Sequence, residues 1–322
     1  MSWMDREKPP EYSLVVPVYN EEETLPELMR RLAALLEKMD GESEVVLVDD
    51  GSSDSSYELM AAMRKTDSRF KLLRLSRNFG HQIAVTAGLD AATGNAVIVM
   101  DADLQDPPEV AVDLAARWRE GFDVVYAIRE ERRGESPFKR ATAKLFYRTF
   151  RRMTDVDVPL DVGDFRLIDR RALDAFRSMR ETNRYVRGMF SWIGFRQSGV
   201  PFRREERFAG ETKYPLGKMV KFATDGIVSF SAAPLRLALK LGFAVAGLSF
   251  LMGAVFLVSK VAGFYSVPGL ASIAVFVAFL GGIQLFLLGI VGEYIARIHD
   301  EVKGRPLYLV RDAQGLEPPR VR

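Results

Sequence analysis

Five apolar runs of five to seven residues punctuate the first 130 residues, and stretches with apolar positions at helical spacing lie between them. Ser13–Tyr19, Glu44–Val48, Lys71–Leu75, Ala96–Met100 and Asp123–Ile128 are the predicted strands. Glu23–Met39, with Leu25, Leu28, Leu32, Leu35 and Leu36 on one face, is a predicted helix; Tyr57–Met63, the stretch from Gln82 to Ala92, and Val110–Glu120 are others. Apolar strands alternating with helices predict an α/β fold with a right-handed, mostly parallel sheet covered on both faces. This is a nucleotide-binding architecture, although no GxGxxG or Walker loop accompanies it.

The pattern changes beyond Pro234. Leu241–Ser259 is uncharged for 19 residues, and Val261–Gly292 is uncharged for 32, interrupted by Pro268 and Gln284. About 20 apolar residues cross a bilayer, so these stretches predict two transmembrane helices joined around Lys260–Pro268. Just before them, Met219, Phe222, Ala223, Ile227 and Phe230 fall at helical spacing opposite Lys218, Lys221 and Asp225, the pattern of an amphipathic helix lying on a membrane. The 322-residue chain therefore divides into an α/β domain (1–215), a juxtamembrane helix (216–234), two spans (235–298) and a tail (299–322). Beyond Val310 the tail is Pro-rich and charged, and disorder is expected there.

Charge orients the spans. Arg236 and Lys240 precede the first, Arg297, Lys303 and Arg305 follow the second, and the connection carries only Lys260. The positive-inside bias places the α/β domain and both termini in the cytoplasm, on the inner face of the plasma membrane. No apolar run near the amino terminus suggests a signal peptide. The absence of cysteine excludes disulfides and thiolate metal sites. A net charge of +2 gives no reason to expect a nucleic-acid partner.

Candidate chemistry is concentrated in Asn95–Glu109, NAVIVMDADLQDPPE, where a buried strand ends in Asp101, Asp103 and Asp106. Acids at the carboxyl end of a strand lie where open α/β sheets bind ligands. Asp101 and Asp103, with the neutral oxygen of Gln105, suit Mg²⁺ or Mn²⁺. The plainer alternative is that the acids cap the helix that follows Pro107 and Pro108. Arg129–Arg152 holds nine Lys or Arg against three Glu, interleaved with aromatic residues, and Arg129, Arg132 and Arg140 are the candidates there for an anion. Gly163 and Asp164 head a further predicted strand, and Arg203–Lys221 forms a second basic stretch.

These motifs together carry a family resemblance. PVYNEEE from Pro17, VDDGSSD from Val48, RNFGHQ from Arg77, DADLQDPPE from Asp101, GDFRL from Gly163, TKY from Thr212 and two spans ending GEYIARIHDEVKGRPLY resemble the polyprenyl-phosphate glycosyltransferases of glycosyltransferase family 2, in the family's order, from Tyr12 to Val310. This group contains bactoprenol glucosyltransferases and dolichyl-phosphate mannose synthases. The resemblance implies a GT-A, Rossmann-like domain that moves a hexose from a nucleotide sugar to a polyprenyl phosphate with inversion. It implies nucleotide contacts at Pro17, Tyr19, Glu21 and Asp50, and metal ligands at Asp101, Asp103 and Gln105. Acceptor-phosphate contacts are implied at Arg129, Arg140, Arg207 and Lys213. Asp164 and Asp103 are the implied catalytic acids, and an acid at Asp164 is similar to the glucosyltransferase branch, which makes UDP-glucose the expected donor and undecaprenyl phosphate the expected acceptor. GDP-mannose is the second choice. The resemblance also allows a homo-tetramer. A polysaccharide synthase would be expected to carry QxxRW, which is absent. A lipid phosphate is largely ionised at neutral pH and scarcely needs a base, so Asp164 is expected to position and polarise before it accepts a proton.

Overall fold

The structure is a computed structural model that describes residues 9–129, 162–204, 231–263 and 270–317. Arg132, Arg140, Arg207, Lys213 and the expected juxtamembrane helix up to residue 230 lie outside the described residues.

The apolar runs form strands as expected: β1 (Tyr12–Val18), β2 (Ser43–Asp49), β3 (Phe70–Leu75), β4 (Ala96–Val99) and β5 (Val124–Arg129). They alternate with α1 (Leu25–Leu36), α2 (Ser56–Thr66), α3 (His81–Ala91) and α4 (Val110–Arg119). Strand β6 (Val162–Asp169) runs directly into α5 (Arg170–Ser178), followed by α6 (Val186–Trp192) and β7 (Gln197–Phe202). Two long helices, α7 (Ala233–Val261) and α8 (Leu270–Val302), precede a last strand, β8 (Val310–Gln314).

All eight strands form one sheet in the order β7-β5-β6-β4-β1-β2-β3-β8. β1 is parallel to both β2 and β4, and β3 is parallel to β2. β6 inserts antiparallel between β4 and β5, and β8 is antiparallel to β3. The chain winds from β1 outward to β3 and then returns to the other side of β1 as β4, so the topological switch point lies between β1 and β4. Ligands of open α/β sheets bind outside the carboxyl ends of the strands at such a point.

Both faces of the sheet are covered. Leu14, Val16, Leu47 and Ile98 face α1, α2 and α4, whereas Val15, Val46, Val48, Val97 and Val99 face α3, α5 and α6. Each such side chain contributes roughly 1.5–3 kcal/mol by leaving water. Pro17 is tolerated in a central strand because β1 outruns β4, whose pairing ends at Val15 opposite Val99. A Cβ on Gly88 would lie 2.3 Å from Val15 Cγ1, so α3 sits close enough to β1 to bring its first residue, His81, to the ligand-binding edge.

At the opposite edge, buried Glu44 accepts hydrogen bonds from Ser13 Oγ (2.5 Å), Thr93 N (3.0 Å) and Thr93 Oγ1 (2.9 Å), and it pairs with Lys71. Burial works against its charge, but Lys71, Ser13 and Thr93 outweigh burial and hold the carboxyl below its ordinary value of 4.5. The stabilisation is thus complete above about pH 4.5 and is lost as pH falls through the depressed folded-state value. Glu44→Ala is expected to cost about 2–3 kcal/mol at pH 7 and much less at pH 3, as read by denaturant unfolding.

The segment after Val310 departs from the sequence reading, and the acids after β4 exclude the plainer of the two alternatives given for them. The segment after Val310 is a strand: β8 pairs from Leu72↔Gln314 to Leu75↔Val310, and Tyr308 just before it is completely buried. Its composition is that of a solvated tail, but an edge strand needs only backbone pairing and a few anchors. Here the Tyr57 hydroxyl donates to Asp312 (2.5 Å) and the Tyr308 hydroxyl donates to Asp90 (2.8 Å). The acids after β4 also do not cap α4. Glu109 occupies its N-cap position without a side-chain cap, and Asp106 turns inward to Arg129 (3.6 Å) and Arg204 (3.4 Å).

α7 and α8 are long and apolar enough to cross a membrane, with 18-residue stretches of mean hydropathy 2.3 within Ala233–Val261 and 1.7 within Phe279–Val302, and many of their apolar side chains are exposed.

Candidate active site

The loops after β1 and β2 are joined side by side. Asn20 Oδ1 accepts from Ser53 N (2.8 Å), and Asn20 N donates to Ser52 Oγ (3.1 Å). Glu21 N donates to Ser56 Oγ (2.9 Å). Asn20 adopts a left-handed φ of 52°, which asparagine tolerates. These contacts place Pro17 in the floor at the end of β1, Tyr19 exposed above it, and Glu21 beside Thr24, whose hydroxyl donates to it (3.1 Å).

Asp50 is buried and spends both oxygens on the loop that opens α3: Oδ1 accepts from Phe79 N (2.8 Å) and Oδ2 from Gly80 N (2.9 Å). Gly51 follows at φ +70°, with the Arg77–Asn78 backbone so near that a Cβ would meet it at 2.5 Å. Asp50 thus fixes the RNFGHQ loop, and with it His81.

The register of β4 against β6 brings the central acids together. The pairs run from Ala96↔Asp169 to Val99↔Arg166, and the same count continued by two residues sets Asp101 opposite Asp164. His81 Nε2 lies 3.1 Å from Asp164 Oδ2 and 3.5 Å from Asp101 Oδ1. One ligand atom from each of His81, Asp101 and Asp164 falls within 4.8 Å of the others. Asp103 lies outside this cluster and shapes the turn: its Oδ1 accepts from Gln105 N (3.1 Å), while Leu104 between them is held at φ 57° although buried. Such a backbone costs about 1 kcal/mol or more and is characteristic of ligand-binding loops.

Asp101 fits a cation. Its Oδ1 is buried and makes no hydrogen bond among the described residues. Burial, together with the charges of Asp164, Asp103 and Asp106, pushes its carboxyl up to about 6 despite the nearby imidazole. Two carboxylates and an imidazole form a donor set that suits a divalent ion such as Mn²⁺.

Asp164 is the opposite case. Arg187 grips it with Nε on Oδ1 (2.8 Å) and Nη2 on Oδ2 (3.1 Å). Burial opposes its charge, but Arg187 and His81 outweigh burial and hold the carboxyl well below the carboxylate range. Burial likewise disfavours the charged imidazole of His81, yet the hydrogen bond to Asp164 and the charges of Asp101 and Asp164 push it up to about 9. Arg129 stands at the end of β5 beside Gly163, where a Cβ would lie 3.1 Å from its Nη2, and it shares Asp106 with Arg204. His81, Arg187 and Arg204 were not singled out from the sequence. Signals existed for His81, one of two histidines in the chain and part of a motif at a predicted loop-to-helix junction, and for Arg204, which lies in the second basic stretch; Arg187 carried none.

The profile described as Glycosyl transferase family 2 matches residues 13–177, just over half of the chain. The chain belongs to glycosyltransferase family 2. Residues 233–298, which comprise α7 and most of α8, match a second profile described as the GtrB C-terminal hairpin. Among curated family 2 relatives, the chain is 48% identical to the uncharacterized glycosyltransferase YkcC of Bacillus subtilis (strain 168), over 97% of this chain and 96% of that protein. It is 39% identical to the SfII prophage-derived bactoprenol glucosyl transferase of Shigella flexneri, over 95% and 99% of the two chains. Among solved structures, the mannosyltransferase PcManGT from Pyrobaculum calidifontis in complex with GDP-Man and Mn²⁺ aligns at a TM-score of 0.46 and 18% identity over 89% of this chain and 88% of that one. The mostly parallel sheet with helices on both faces, in a chain of this family, is GT-A-like, and the protein is a family 2 glycosyltransferase.

Proposed function

We propose that the protein transfers a hexose, glucose from UDP-glucose, to a polyprenyl phosphate at the cytoplasmic face of the plasma membrane. The observation that carries this reading is the union, in one chain, of an acid cluster at the sheet's switch point with an apolar hairpin whose far end returns to the same sheet as β8. Such a chain holds a water-borne donor site next to a lipid. The bactoprenol glucosyl transferase relatives support the acceptor and the sugar.

Pro17, Tyr19 and Glu21 line the edge that would receive the base and ribose, with Asp50 holding the neighbouring loop. Asp101 and Asp164, with His81 or with Asp103 and Gln105 after the turn adjusts, would hold Mg²⁺ or Mn²⁺. A bound divalent ion there stabilises the negative charge of the departing diphosphate. Arg129, together with Arg140, Arg207 and Lys213, would bind the acceptor phosphate by charge-assisted hydrogen bonds. The phosphate oxygen displaces the diphosphate in one step: the bond from carbon to the nucleotide oxygen breaks as the new one forms, and the anomeric centre inverts. The test is incubation of purified protein with UDP-glucose, Mn²⁺ and undecaprenyl phosphate. UDP release that requires the lipid phosphate, with a β-linked product, is expected. UDP release that ignores the lipid would overturn the reading.

The topology has its own check. The parent chain is cysteine-free, so a single Ser266→Cys should react with an impermeant thiol reagent outside intact cells, and Glu317→Cys should not. Labelling of both from outside would refute a hairpin that enters and leaves on the cytoplasmic side.

A further inference from the structure

Three side chains converge on the carboxylate of Asp164, one from α6 and two from the start of α3. Arg187, on α6, uses two of its nitrogens on the two oxygens. His81 and Gln82, the first residues of α3, reach Oδ2 at 3.1 and 3.5 Å. Gln82 then turns back to α6, its Oε1 accepting from Val186 N (3.0 Å). Two residues along β6, buried Arg166 donates to Gly163 O (2.9 Å) and lies 5.1 Å above the Phe190 ring of α6. The carboxylate is therefore pinned on both oxygens, and the amino-terminal ends of α3 and α6 are tied to one another through it.

A surface ion pair contributes little to stability and does not need this enclosure. Asp164 is only 4% exposed, whereas the Arg187 side chain keeps 26% of its surface at the cleft. A guanidinium fork fixes both the distance and the plane of a carboxylate, which a lysine ammonium cannot do. We propose that Arg187 is a positioning residue for sugar transfer that acts through Asp164, fixing the plane of that carboxylate opposite Asp101 at the sheet edge. Misplacement of a reacting arrangement by about 1 Å can cost about 10²-fold in rate.

The assignment rests on the transferase reading above, and a double-mutant cycle separates the two. Arg187→Ala and Asp164→Asn are each expected to lower kcat about 10²-fold, and the double variant should be no slower than the slower single, because both remove the same placement. UDP-glucose binding, measured by calorimetry with Mn²⁺ and without acceptor, should be unchanged in Arg187→Ala. Arg187→Lys keeps the charge without the fork, and it should fold like the parent yet remain at least about tenfold slow. Losses that multiply in the double variant, or an Arg187→Lys enzyme at the parent rate, would overturn this assignment while leaving the function intact. A parent protein that hands no sugar to polyprenyl phosphate would overturn both.

Discussion

Asp101→Asn is expected to lower transfer by about 10³-fold, and the same substitution should make the protein more stable in the absence of metal. Both outcomes follow from one physical fact. The Asp101 carboxyl is desolvated and faces three other acids, so its folded-state value lies near 6, above the ordinary 3.8. A raised carboxyl value means that the charged form is worse off in the folded state, so the destabilisation is absent below about pH 4, grows between pH 4 and 6, and is complete above that range. Removing the charge relieves it, and the variant should gain about 2 kcal/mol at pH 7 in EDTA, and nothing at pH 3.5. A divalent ion reverses the order. It binds the folded parent and stabilises it by mass action, and it should do little for the variant. Melting curves with EDTA and with Mn²⁺ therefore cross, while EDTA removes the parent's transfer activity as the substitution does. Asp103→Asn should also lose activity. A parent fully active in EDTA, or an Asp101→Asn protein less stable than the parent in EDTA, would refute the assignment.

Tyr308→Ala is expected to destabilise the protein by about 4 kcal/mol, far more than its position after the apolar hairpin suggests. The side chain is completely buried among residues of α3 and α5, and its hydroxyl donates to Asp90, which also pairs with Arg180 at 2.9 Å. Truncation of a buried aromatic to alanine costs about 3–5 kcal/mol, because the cavity adds to the lost transfer energy. Tyr308→Phe keeps the ring and removes one hydrogen bond, so about 1–2 kcal/mol is expected. Denaturant unfolding of the full-length protein in detergent measures both. Equal effects from the two variants would show that the ring contributes nothing.

The sheet was legible because buried parallel strands leave unbroken apolar runs, and Ala96–Met100 followed by Asp101 marks both a strand and its functional end. The reversal of β6 was less so. Gly163 and Asp164 were read as the head of a strand, which places an acid at the ligand edge only if that strand runs against its neighbours, as β6 does against β4. β8 left no trace in Val-Arg-Asp-Ala-Gln, because its pairing is made by backbone and its burial by Tyr308 before it. Arg187 was invisible for a different reason. Its partner is 23 residues away on another element, and a lone arginine in a short helix reads as a solvated face. The approach of His81 to both central acids likewise depends on Asp50 holding the loop ahead of it, a contact between positions some 30 residues apart.

β8 also sets an order of events during synthesis. The ribosome delivers residues 310–314 only after both helices of the hairpin have been made, so the sheet cannot complete its β3 edge before the hairpin is synthesised. On the proposed topology, in which the hairpin crosses twice, the last strand arrives on the side where β3 lies. A chain whose second helix failed to cross would strand β8 beyond the bilayer, leaving Asp90 without Tyr308 and an open strand edge of the kind that invites aggregation. On that topology, completion of the sheet depends on an anchor that has crossed the membrane twice.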